Sequence, residues 1–173
     1  MRESCVMWKQ VEANMQGYPE RLLVARALIE NGLHVRAGKI YCNEIEVPPI
    51  RVGRVVGVDR RTVAETVKMI EANEELRIIF QYLRSAGHSL KEIARYLNMG
   101  VVEITPVDAG TPGILAKSAT LIAEKGISIR QAIVDDPQLS PEPSLTLIAE
   151  TKIPGDLVPL FLKIAGVAKV SVY

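Results

Sequence analysis

The stretch from Val107 to Asp136, VDAGTPGILAKSATLIAEKGISIRQAIVDD, constrains the fold of this chain more than any other. Thr111 stands where a helix N-cap belongs, Pro112 falls at the first helical position, and Gly126 follows the last turn as a stop. Between these signals Ile114, Leu115, Leu121 and Ile122 share one helical face, and Lys117, Thr120, Glu124 and Lys125 share the other. The turn that opens the helix also exposes backbone N–H groups, which can receive a carboxylate. Asp108, Gly110, Thr111, Pro112, Gly113 and Ile114 are therefore the candidate ligand-binding residues.

The surrounding segments extend the pattern. Strands are expected over 101–107, 127–134, 144–150 and 167–173, with helices over 112–125 and 157–165. That order, βαββαβ, is the order of a ferredoxin-like sandwich, an antiparallel sheet with both helices on one face. For the second helix, Asp156 is the expected cap, Pro159 lies in the first turn where its missing N–H costs nothing, and Gly166 ends it. Leu160, Phe161 and Ile164 form its expected buried stripe. The loop over 135–143 is acidic and proline-rich, and Asp135 and Asp136 read there as a solvated pair.

The N-terminal half follows a different plan. Residues 19–32 form a helix with Leu22, Leu23, Ala25, Leu28 and Ile29 inward and Gly32 as its stop. Alternation after it (Leu33/Val35, Ile40/Cys42, Ile45/Val47) predicts a hairpin or three short strands. Then IRVGRVVGVDRRTVAETV has the spacing of a helix-turn-helix: a short helix ends at Gly57, and Asp59 caps a new one. Gly53 sits where the two backbones cross, and Val63 and Val67 bury the second helix. Thr66 occupies a position where a large apolar residue is common.

Residues 51–68 carry five basic side chains against two acidic ones. A recognition helix meets base edges with its N-terminal residues, and phosphate needs such an excess of positive charge. Arg51, Arg54, Arg60, Arg61, Thr62 and Lys68 are accordingly the candidate DNA-binding residues, with double-stranded DNA the expected partner. Apolar residues then continue in helical spacing through Leu83, with a break near Asn73. The segment SLKEIARYLNMG imitates the first half of another helix-turn-helix. The β-branched VVEITPVD that follows reads as strand, so residues 87–99 are expected to be a linker helix. The resulting domains are a helical, winged-like helix-turn-helix unit (1–86), the linker (87–99) and an α+β unit (100–173).

Asp108, Pro112, Gly113, Ile114 and Leu115, followed by Gly126-Ile127-Ser128-Ile129, resemble the first turn and second strand of an ACT domain. The whole chain resembles the archaeal family of predicted regulators of amino-acid metabolism, which join an N-terminal helix-turn-helix to an ACT domain. GVDRRTV, GISIRQAI and the closing IPG…GV…V carry that likeness. Two features depart from the ACT pattern: three residues rather than one separate Asp108 from Pro112, and Ser128 stands where asparagine is usual. The resemblance implies a homodimer paired through the C-terminal sheets, with an amino acid or related small metabolite bound near the first turn.

Other classes find little support. The N-terminus is charged and lacks a signal-peptide core, and no apolar run approaches the roughly 18 residues of a membrane span, so a cytoplasmic chain is expected. Cys5 and Cys42 stand apart, and His34 and His88 have no ligand partners at useful spacing, so neither a disulfide nor a metal site is expected. No nucleophile-elbow, phosphate-loop or dinucleotide motif occurs, so no catalytic residue or cofactor is expected. The expected function is a ligand-responsive transcriptional regulator. The alternative is a metabolite-sensing or dimerisation subunit that regulates a metabolic enzyme without binding DNA.

Overall fold

The computed structural model describes residues 7–173, which form two compact units divided between Gly87 and His88. Cys5 lies outside the described residues.

The first unit begins with α1 (Met7–Asn14) and α2 (Pro19–Glu30). Proline in the first turn of α2 costs no hydrogen bond, because that N–H has no helical partner. Its buried stripe is Val24, Ala25, Leu28 and Ile29; Leu23, expected inward, is 51% exposed. Three short strands follow, β1 (Leu33–Arg36), β2 (Lys39–Cys42) and β3 (Ile45–Val47), antiparallel in sequence order with Val35 opposite Ile40 and Ile40 opposite Val47.

Helix α3 (Pro49–Val56) ends at Gly57 in the left-handed region, φ 79°, and α4 (Arg60–Ala72) begins after Asp59. Asp59 accepts from the Arg61 N–H at 2.7 Å, so it is the N-cap its position suggested. The N–H groups of Gly57 and Val58 both donate to the Gly53 carbonyl, at 2.8 and 2.9 Å, which closes the turn tightly on α3. A side chain at Gly53 has no room, because a Cβ there would stand 2.7 Å from the Val58 carbonyl oxygen. Val63 and Val67 are buried as expected. Thr66 is buried too, its hydroxyl donating to the Thr62 carbonyl at 2.7 Å; this local bond lets a polar residue occupy an apolar position. At Asn73 the chain breaks, and the side chain of Asn73 caps α5 (Glu74–Tyr82) by accepting from Leu76 N–H. Leu76 and Phe80 carry that helix into the core with Val11, Met15, Leu28, Ile40 and Ile70.

In the second unit, strands β4 (Gly100–Pro106), β5 (Ile129–Val134), β6 (Leu145–Ala149) and β7 (Val167–Val172) form one antiparallel sheet in the order β5-β6-β4-β7. Helices α6 (Ile114–Glu124) and α7 (Val158–Leu162) lie on one face. Alternation along the strands sends Val102, Ile104, Leu145, Leu147 and Ala149 to that face, against Ile114, Ile122, Leu157 and Phe161. This is the βαββαβ sandwich that the pattern predicted.

Details differ from expectation. Residues 87–99 do not form a helix: a turn and a single 3-10 segment, Ala94–Leu97, replace it. That segment packs on the outer face of the sheet, where Ala94 meets Val101 and Ile148, and it belongs to the second unit. Gln131 faces it, accepting from Leu90 N–H at 2.9 Å and donating to the His88 carbonyl at 2.6 Å. Lys91 pairs with Glu103 at 2.6 Å, and the Tyr173 hydroxyl donates to the same carboxylate at 2.8 Å. These polar ties to the sheet outweigh the weak helical signal of so short a segment.

The two helices of this unit also start differently. Gly113, not Thr111, precedes α6, and Asp156 pairs with Lys125 at 2.6 Å rather than capping α7. Leu160 is 37% exposed, and Leu157 takes its place in the core. On α6, Leu115 is 43% exposed while Ser118 is fully buried, because the inward stripe is centred on Ile114, Ser118 and Ile122.

Candidate functional site

The first turn of the second unit is held by its own backbone. Asp108 accepts from Gly110 N–H through its carboxylate, at 2.9 Å, and from Thr111 N–H through its carbonyl, at 3.0 Å. The exposed Asp108 side chain therefore braces the turn. Thr111 turns away from the helix start and packs on Gly166, where a Cβ would come within 2.7 Å of the threonine methyl. Gly113 then takes a left-handed conformation, φ 90°, that only glycine adopts cheaply, and its carbonyl receives the first helical bond from Lys117 N–H. No side chain caps α6. Its first N–H groups consequently present partial positive charge at the end of the turn.

Beside this turn lies a cavity of about 100 Å³ between the ends of β4 and β5, the start of α6 and the loop before β6. Its wall is aliphatic, formed by Ile104, Ile114, Leu115, Val134 and Leu145 with Pro106 and Pro143. Of the six predicted ligand residues, Thr111, Gly113 and Ile114 reach this cavity. Asp108, Gly110 and Pro112 shape the turn without lining the cavity.

Two polar lining residues lie outside the predicted set, Asp135, expected in a solvated loop, and Ser144. Ser144 donates to one Asp135 carboxylate oxygen through both its N–H, at 3.1 Å, and its hydroxyl, at 2.9 Å. The Asp135 N–H donates back to the Ser144 carbonyl at 3.0 Å, extending the β5–β6 ladder by one pair. This pairing makes Asp135 a fixed, half-buried carboxylate rather than part of a solvated loop. Only the strand pairing reveals that residues nine apart in sequence are partners.

In the first unit, Arg60 and Arg61 project from the exposed first turn of α4, and Arg51, Arg54 and Lys68 are also exposed. Thr62 is half-buried, and its hydroxyl donates to Glu20 at 3.2 Å, so that group is already engaged. Glu65 pairs with Arg21 at 2.6 Å, and the guanidinium of Arg21 also lies 4.4 Å from the centre of the Tyr18 ring. Arg21 therefore offsets the one acidic charge on the exposed stripe Arg61, Glu65, Lys68. The sequence hid this pairing because 44 positions separate the partners.

Among the described residues no group of three or more metal-ligating side chains stands together, and no helix is long and apolar enough to cross a membrane. No family model matches the chain, and no curated protein matches it. One solved structure, that of E. coli AsnC, aligns with 89% of this chain and 87% of its own length at 12% identity, with a TM-score of 0.22. A superposition that loose assigns nothing. What stands is a two-unit chain of mixed helix and sheet, with one antiparallel sheet in each unit.

Proposed function

We propose that the chain is a ligand-responsive transcriptional regulator, in which the α3–α4 unit binds double-stranded DNA and the C-terminal sandwich senses an amino acid or related metabolite. The observation that carries this reading is the start of α4: Gly57 and Asp59 set the turn, and Arg60 and Arg61 project from the helix N-terminus with no partner among the described residues. Residues so placed on the second helix of a helix-turn-helix reach base edges and phosphates. The cavity beside α6 supplies the sensor, and a homodimer would present two reading helices to two half-sites. Binding alone regulates nothing; the metabolite must favour one of two arrangements of the dimer. The chain is taken as a cytoplasmic protein without enzymatic activity or cofactor.

The test is selection from a random or genomic DNA pool by the full chain, followed by mobility shift on the recovered duplex. Sequence-dependent binding is expected, and absence of any such binding with or without metabolites would refute the reading.

A second reading is favoured by the apolar exposure of this unit. Ile45 and Val55 are 73% and 81% exposed, and an apolar groove of about 250 Å³ runs beside α3, lined by Leu33, Cys42, Val47 and Val52. Such a surface suits a protein partner. In that reading the chain is a metabolite-sensing or dimerisation subunit that docks on a metabolic enzyme. Retention of a biosynthetic enzyme and no nucleic acid in a pull-down would favour it.

A further inference from the structure

The exposed stripe of α4 is not uniformly basic. Arg61, Glu65 and Lys68 recur at helical spacing on the face opposite the buried Val63, Val67 and Ile70. A carboxylate on a surface that meets phosphate is repelled by it, so a glutamate between two cations of such a stripe works against binding unless it reads something. Its neighbours hold it in place. Arg21 of α2 donates to Glu65 Oε2 at 2.6 Å, and the Arg21 side chain is 22% exposed against 57% for Glu65. The same guanidinium lies 4.4 Å from the centre of the Tyr18 ring, which fixes its orientation. Arg21 therefore cancels the charge of Glu65 and engages Oε2, while Oε1 has no hydrogen-bond partner among the described residues.

We infer that Glu65 is a base-reading residue that accepts a hydrogen bond from the N4 amino group of a cytosine in the major groove, with Arg21 as the residue that positions it. The inference rests on the DNA reading above and names a specificity-determining residue within it. Only cytosine and adenine present amino donors in the major groove; guanine and thymine present acceptors, which repel a carboxylate oxygen. Adenine sets its N7 acceptor beside the amino group, whereas cytosine sets a C–H there, so cytosine is the better match. Glu65 is the sixth of the 13 residues of α4 and stands about 6 Å along the axis from Arg61, within the N-terminal half that meets base edges. Because Arg21 already orients it, Glu65 loses less rotamer freedom on binding than a free glutamate would.

Two other carboxylates near the start of α4 are committed elsewhere. Asp59 accepts from Arg61 N–H as the helix cap. Glu20 accepts from Thr62, a half-buried residue outside the stripe.

The experiment is selection of duplexes from a random pool by the full chain, for the wild type, Glu65→Gln, Glu65→Ala and Arg21→Met. Mobility-shift competition then follows, with every base substituted in turn at each position of the selected duplex. For the wild type, one position in each half-site should require cytosine, with a loss of about tenfold for the other bases. Glu65→Gln should change the selected base at that position alone to adenine, because glutamine matches N6 and N7 together. Glu65→Ala should bring the four bases there within about threefold of one another. Arg21→Met should narrow the cytosine preference at that position and leave the others as in the wild type, and Arg21→Lys, which keeps a charged donor, should restore it. The Trp8 fluorescence transition of each variant checks that the first unit is folded. A merely structural ion pair would weaken binding to all duplexes alike and change no selected base. An unchanged base at every position in Glu65→Gln and unchanged discrimination in Glu65→Ala would overturn the role of Glu65 while the DNA reading stands. Full discrimination in a folded Arg21→Met would overturn the positioning role of Arg21. If the wild type selects no sequence, the DNA reading itself falls, and this assignment falls with it.

Discussion

Replacing Gly53 with alanine tests the tightness of the α3–α4 crossing, because two effects of known size oppose each other there. Alanine in a helix interior is favoured over glycine by about 1 kcal/mol, so Gly→Ala at an open helical site stabilises. At Gly53 the new Cβ would stand 2.7 Å from the Val58 carbonyl oxygen and 3.6 Å from both Arg60 N and a Val63 methyl carbon. Ordinary carbon–oxygen contacts begin near 3.3 Å, so the turn must open by about 0.6 Å. It resists opening, because the N–H groups of Gly57 and Val58 both bond to the Gly53 carbonyl and Asp59 is fixed as the cap of α4. Forced shifts of well-packed backbone cost about 1–3 kcal/mol, which leaves a net destabilisation of about 1 kcal/mol at the middle of that range. For a unit of this size the corresponding fall in melting temperature is about 4–8 °C.

The assay uses the single tryptophan of the chain. Trp8 lies in α1 and is 8% exposed, so its fluorescence reports unfolding of the first unit. Gly155→Ala is the control, since a Cβ there meets nothing within 4 Å and the residue lies in the second unit. The Trp8 transition should fall for Gly53→Ala and stay fixed for Gly155→Ala. A rise for Gly53→Ala would mean that propensity wins and that α3 and α4 are not held as tightly as described.

Loss of the cap in Asp59→Ala should lower the Trp8 transition by the equivalent of about 1 kcal/mol and weaken DNA binding, since the first turn of α4 carries Arg60 and Arg61; unchanged hydrogen exchange at residues 60–63 would contradict this. His34 is buried with neither ring nitrogen hydrogen-bonded, and burial, followed by the nearby positive charges of Arg84 and Arg36, holds its pKa below 6.5, with Glu44 opposing. Because the unfolded chain binds that proton more readily, the stabilisation is present above about pH 6.5 and is lost as pH falls toward the lower folded value. His34→Phe should flatten the Trp8 stability profile over that window, and an unchanged slope would remove His34 as its cause. On the second unit, the hydrogen bond and charge of Lys91 hold the Glu103 carboxyl below its usual range. Glu103→Gln should therefore speed amide exchange of residues 90–97 while leaving the α6 and α7 amides protected; protection of both would show that apolar contacts alone hold the segment.

Periodicity made most of the architecture legible. The βαββαβ order, the break at Asn73 and the short turn between α3 and α4 follow from apolar spacing and a few strong punctuating residues, Gly57, Asp59, Gly126 and Gly166 among them. Helix starts are less legible where two capping signals compete. Thr111-Pro112 imitates a helix start, but Thr111 is drawn to Gly166 across the sandwich, and Gly113 takes the turn instead. The segment over 87–99 misleads because SLKEIARYLNMG has helical spacing, while the groups that bind it, Gln131 and Glu103, come from strands of the sheet. For the same reason most of the candidate cavity is invisible in the sequence. Thr111, Gly113 and Ile114 belong to a local motif, whereas Asp135 and Ser144 become a site only when β5 pairs with β6.

A metabolite held by the second unit should change DNA binding by the first. Fluorescence-anisotropy titration of the selected duplex at several salt concentrations, with and without each of the common amino acids in turn, for wild type and for Arg60→Ala/Arg61→Ala, decides the matter. Wild-type affinity should shift on adding at least one of these ligands, and the double variant should bind more weakly with a shallower salt slope at every ligand concentration. Identical wild-type isotherms with every ligand, or an arginine variant that binds as the wild type does, would contradict the reading.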